Sequence, residues 1–85
     1  MPFTLVWTNR AKKDLESLEK ELTRRILDKM ELFEKEDSVF LEAVKGTPYQ
    51  KVRVGHYRVI VQKFPATKKI IVLRIEHRKK VYTQF

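Results

Sequence analysis

Two periodicities divide this chain, and they change over after Thr8. Phe3 to Thr8 reads Phe-Thr-Leu-Val-Trp-Thr, aromatic and β-branched residues over a strand's length. From there Ala11, Leu15, Leu18, Leu22, Ile26, Met30 and Phe33 recur at three- and four-residue intervals, with Lys, Arg, Glu and Asp between them. That spacing lays one apolar stripe along a helical surface. Asn9 is the expected N-cap. The stripe outruns an average helix, so a break near Glu21-Leu22-Thr23 into an antiparallel hairpin of two helices is expected. Residues 37 to 48 read as the main loop, with Gly46 and Pro48 as breakers.

Beyond that loop the period becomes two. Tyr49 to Val54 alternates, Gly55 marks a turn, His56 to Phe64 alternates again, and Pro65 to Lys69 turns the chain into Ile70 to His77. The predicted architecture is α+β: an N-terminal strand, a two-helix hairpin, then a three-stranded antiparallel meander, with both helices on one face of the sheet to bury their stripe. The other face is left to carry charge. Phe3, Trp7, Met30 and Phe33 are expected in the core, Tyr49 and Tyr57 to pack, and His56 to serve the turn.

Length and composition narrow the function classes. Eighty-five residues make a single domain, 1–85, that buries roughly 60 to 65% of the surface its unfolded chain exposes, so any site lies on one small platform. With no cysteine, a disulfide framework, a thiol nucleophile and thiolate metal centres are excluded. No segment approaches the ~20 apolar residues of a spanning helix and no leader-like start is present, so a cytoplasmic protein without membrane association is expected.

Charge sharpens this further. The formal net charge of +8 is lopsided. Residues 1–43 hold eight Lys and Arg against ten acids, whereas residues 44–85 hold eleven cations and a single acid, Glu76. Cations threaded through strands predict a polyanionic partner. Parity says which of them share a face: if Val52 and Val54 point to the helices, Lys51 and Arg53 point away together, and Arg58 joins them when Tyr57, Val59 and Val61 point inward. Arg78, at the end of the last strand, is expected to converge on the same place.

Lys45-Gly46, Lys51-Val-Arg53-Val-Gly55-His-Tyr57-Arg58-Val-Ile-Val and Val72-Leu-Arg-Ile-Glu-His77-Arg78-Lys79, with Tyr82 behind them, resemble the RelE/ParE superfamily of toxins from toxin-antitoxin modules. The likeness spans nearly the whole chain and the order of elements agrees. The RelE branch implies a ribosome-dependent endoribonuclease that cuts messenger RNA without metal or other cofactor and is held inactive by an antitoxin protein. The ParE branch implies an inhibitor of DNA gyrase; a basic RNA-binding module without catalysis is the third reading.

Metal-free RNA cleavage needs a group to take the proton of the 2′-OH, positive charge around the phosphorane, and a proton for the leaving 5′-oxygen. The resemblance assigns Arg58 to the phosphorane, Arg78 to the scissile phosphate and leaving group, and Tyr82 to orienting the nucleotide. The resemblance also gives one of the pair Lys51 and Arg53 a part in proton transfer, and Lys51 is the better candidate because a guanidinium does not give up its proton. His77 is a second candidate base, because an imidazole can both accept and donate a proton. Arg53, Lys45, Lys79 and Lys80 are expected to contact RNA backbone. Taken singly, each surface cation is better explained as a solvated charge; it is their combination that points to a site. The helical stripe is expected to bury against the sheet, to receive an amphipathic antitoxin helix, or both, and an acidic antitoxin segment to cover the cationic face.

Overall fold

The computed structural model describes residues 3–35 and 41–77. Strand β1 (Thr4–Trp7) is followed by helices α1 (Asn9–Glu16) and α2 (Lys20–Lys35), then strands β2 (Glu42–Ala43), β3 (Gln50–Val54), β4 (Tyr57–Phe64) and β5 (Lys69–His77). The sheet order is β1-β5-β4-β3-β2. The predicted meander is β3-β4-β5, antiparallel throughout, and β1 joins it by pairing parallel to β5.

The inward rows of the sheet are Val52, Val54, Val59, Val61, Ile70, Val72 and Ile75, packed with Phe3, Ala11, Ile26, Met30 and Phe33 into one core. Ile26, Met30, Val59, Val61, Ile70 and Val72 are fully buried, and each such side chain contributes about 1.5–3 kcal/mol of hydrophobic stabilisation. Leu15, Leu18, Leu22, Trp7 and Tyr57 pack against this core from its margin.

Three local expectations are corrected. The N-cap is Thr8, not Asn9: Thr8 is extended (φ −71°, ψ 163°) and its hydroxyl accepts from the Ala11 N–H at 3.1 Å. The helical break falls at Ser17–Glu19 rather than near Glu21-Leu22-Thr23. There the Ser17 hydroxyl donates to the Asp14 carbonyl at 2.7 Å and the Thr23 hydroxyl to the Leu15 carbonyl at 3.1 Å, so side chains satisfy carbonyls that α1 leaves open. The apolar stripe runs across the break because both helices pack on the same sheet. Finally, the stretch expected as loop contains β2, a fifth strand of two residues that pairs Glu42 with Lys51 and Ala43 with Gln50.

One irregularity decides what the last strand presents. Ile60 pairs with Arg74 but Val61 pairs with Val72, so Leu73 is an extra residue, a β-bulge. Without it, strict alternation from Ile70 and Val72 would turn Arg74 and Glu76 toward the helices. With it, Ile75 joins the core, and Arg74 and Glu76 face the other way. The N-cap and the second turn of α1 support the bulge. The Thr8 hydroxyl donates to the Leu73 carbonyl at 2.9 Å, and the Ile75 N–H donates to Asp14 Oδ2 at 2.9 Å, so α1 takes over the edge of β5 where β1 ends.

Candidate functional site

The face of the sheet away from the helices is organised in two cross-strand rows. One runs Glu42–Lys51–Ile60–Arg74 and the other Arg53–Arg58–Glu76. Lys51, Arg53 and Arg58 therefore share a face, as alternation predicts, and Arg58 sits half-buried in the middle strand with Arg53 and Glu76 as its lateral neighbours.

Two carboxylates order the cations. Glu42 Oε2 lies 3.1 Å from Arg53 Nε and 3.8 Å from Lys51 Nζ, so a single side chain on the short edge strand holds two cations. The Lys51 side chain is only 17% exposed whereas that of Arg53 is 53% exposed. Lys51 is thus an enclosed ammonium and Arg53 a guanidinium that reaches into solvent. Arg74 pairs with Glu76 two residues along the same strand. Among the described residues these two rows hold four cations and two acids, an excess of positive charge held in fixed geometry. Such preorganised donors suit a phosphate that gains negative charge as it reacts.

The other predicted residues are distributed less simply. His77 pairs with Tyr57 across the strands, their rings 4.8 Å apart and edge to face at 86°. Both lie on the helix side of the sheet, opposite Arg58. Lys45 is exposed in the turn between β2 and β3, at the end of β3 remote from Gly55. Arg78, Lys79, Lys80 and Tyr82 lie outside the described residues. Among the described residues, no group of three His, Asp or Glu side chains is disposed to hold a metal ion, and no helix is long and apolar enough to cross a membrane.

Two members of this face escape sequence reasoning. Arg74 looks inward by simple alternation, and only the bulge at Leu73 reverses it. Glu42 belongs to the acidic half of the chain and reaches the site only through β2. Its signal would have been one acid, besides Asp37, within a stretch read as loop, which is too weak to select.

A sequence profile described as the ParE toxin of type II toxin-antitoxin system, parDE, matches residues 5–82. Among curated protein sequences no significant match is found. Solved structures, among them the following three, are similar over almost their whole length. The RelB–RelE antitoxin–toxin complex from Methanococcus jannaschii matches with TM-score 0.76 and 27% identity, covering 94% of this chain and 98% of the other. The archaeal RelE–RelB complex from Pyrococcus horikoshii gives 0.77 and 28%, covering 92% and 97%. The toxin-antitoxin complex RelBE2 from Mycobacterium tuberculosis gives 0.80 at 20% identity, covering 92% and 100%, a likeness of fold.

Proposed function

The chain belongs to the ParE toxin family of type II toxin-antitoxin systems, and we propose that this toxin is a ribosome-dependent endoribonuclease that cleaves messenger RNA by attack of the 2′-OH on the adjacent phosphate. The observation that carries the reading is the position of Arg58: half-buried on the helix-free face, with Arg53 beside it and Lys51 and Arg74 in the next row. A groove that only gripped backbone would work as well with exposed, mobile cations. A guanidinium held in the middle of a sheet among other cations is instead placed to meet charge that develops on one phosphate.

In the proposed reaction the 2′-oxygen forms a bond to phosphorus, the bond from phosphorus to the 5′-oxygen breaks, and the products are a 2′,3′-cyclic phosphate and a 5′-hydroxyl. Arg58 stabilises the phosphorane. Lys51 handles the proton of the 2′-OH, since its neighbour Arg53 does not exchange one. Arg53 and Arg74 hold the flanking backbone. Arg78 and Tyr82 keep the roles that the family resemblance gives them, at the leaving group and the nucleotide. His77, on the far side of the sheet, takes no part.

The partner of such a toxin is an antitoxin, and both archaeal relatives were solved as antitoxin–toxin complexes. An acidic segment laid over the Lys51–Arg58 face would silence it by occupying the phosphate positions. A second reading, inhibition of DNA gyrase without catalysis, is favoured by the family profile, which describes ParE. Primer extension on a defined message, with programmed ribosomes and the purified protein, separates the two. The nuclease reading predicts new 5′ ends within the message; intact message with arrested supercoiling contradicts it.

A further inference from the structure

Beyond the edge of the helix-free face, a groove of about 550 Å³ opens between α2 and the β3–β4 turn, lined by Arg25, Asp28, Lys29, Leu32, Arg53 and Gly55 among others. Three of these are cations. Arg53 belongs at once to this groove and to the row that contains Arg58, so the positive surface continues from the sheet face around the edge of β3, which β2 leaves uncovered beyond Lys51.

Arg25 is held there in an unusual way. Gly55 has φ +58°, and a β-carbon at that position would lie 3.6 Å from Arg25 Nη1 and 3.7 Å from Nη2. The guanidinium therefore rests against the hairpin turn. No carboxylate of the described residues pairs with Arg25 or with Lys29, although Glu21 stands four residues before Arg25 and Asp28 lies in the groove itself. Lys29 follows Arg25 by four residues, which puts two like charges side by side on α2 at a cost to the helix. By contrast Lys51, Arg53 and Arg74 all have acidic partners. An oriented guanidinium with open donors, next to an unneutralised ammonium, matches the bidentate and point-charge contacts that phosphate accepts.

The geometry points to a second phosphate subsite at Arg25 and Lys29, which grips the backbone of RNA outside the cleaved nucleotide and shares Arg53 with the proposed centre. It rests on the reading of the sheet face as an RNA-binding surface. The RNA is either the message strand or structured RNA of the ribosome, since both present the same phosphodiester chemistry.

The test is the salt dependence of binding, by fluorescence anisotropy, to a short single-stranded RNA with methylated 2′-hydroxyls and to an RNA hairpin. Neither variant needs cleavage to be scored. Arg25→Ala and Lys29→Ala should each flatten the plot of log affinity against log salt by about 0.7 on the single strand if the message is the ligand. A flattening confined to the hairpin assigns the subsite to structured RNA. Lys29→Arg should keep the slope, and Lys13→Ala, an exposed cation on α1, should not change it. Unchanged slopes for both Arg25→Ala and Lys29→Ala, an equal loss in Lys13→Ala, or no binding by the parent protein overturns the proposal. The two readings fail separately: message left intact by a protein that still binds RNA through Lys29 removes the nuclease and keeps the subsite, whereas cleavage with unaltered slopes removes the subsite alone.

Discussion

The hydroxyl of Thr8 donates to the carbonyl oxygen of Leu73 at 2.9 Å while accepting from the N–H of Ala11 at 3.1 Å. One side chain thus caps the first helix and braces the bulge that turns Arg74 and Glu76 onto the face of Arg58. Thr8→Val keeps the shape and removes both bonds. It should lower the unfolding free energy by about 1–2 kcal/mol, combining the loss of an N-cap with that of a hydrogen bond. Thr8→Ser should restore most of it in urea titrations.

Asp14 performs the matching task six residues later, its Oδ2 accepting from the Ile75 N–H at 2.9 Å. Asp14→Ala leaves that amide without its acceptor, which should cost about 1–3 kcal/mol. Amide hydrogen exchange distinguishes this from general loosening: Ile75 should exchange much faster in the variant, while the amides of β3 and β4 change only with global stability.

Glu42 neutralises part of the proposed site from a half-buried position. Its shorter contact is with the exposed Arg53, and because such solvent-screened pairs contribute about 0–1 kcal/mol, Glu42→Gln should leave thermal stability nearly unchanged. Freed of the carboxylate, Lys51 and Arg53 become available to phosphate. Affinity for single-stranded RNA should rise, and the salt dependence should steepen by up to about 0.7 for each new contact. A fall in affinity would show that Glu42 orients the two cations more than it neutralises them.

Arg58 separates catalysis from grip. In single-turnover cleavage at saturating message, Arg58→Ala should slow the chemical step on the order of 10² to 10³-fold, as expected for loss of one preorganised transition-state donor. Arg58→Lys should recover only part of this, since an ammonium cannot bridge two phosphate oxygens as the planar fork does. A defect seen only as weaker binding would make Arg58 a contact for backbone.

Much of the fold was legible because two simple periods dominate it. Val52 and Val54, Val59 and Val61 alternate cleanly, and the stripe from Ala11 to Phe33 falls on the buried side of both helices. The same alternation correctly grouped Lys51, Arg53 and Arg58. What periodicity misses are devices made of single hydrogen bonds. The break after Glu16 is set by the hydroxyls of Ser17 and Thr23 on carbonyls of α1, which leave no trace in the apolar pattern. The bulge at Leu73 reverses parity for the strand end, hiding Arg74 and sending His77 to the side of Tyr57. Glu42 reaches the site through two residues of pairing, far too few to carry a strand signal.

The chemistry of the cut ends tests attack by the 2′-OH most directly. Message cleaved by the purified protein on programmed ribosomes should be recovered and its termini identified by mass spectrometry. Attack by the 2′-OH at the Arg58 face predicts a 2′,3′-cyclic phosphate, or its hydrolysis product, upstream and a 5′-hydroxyl downstream. Fragments bearing a 3′-hydroxyl and a 5′-phosphate, or message that stays whole, would contradict it.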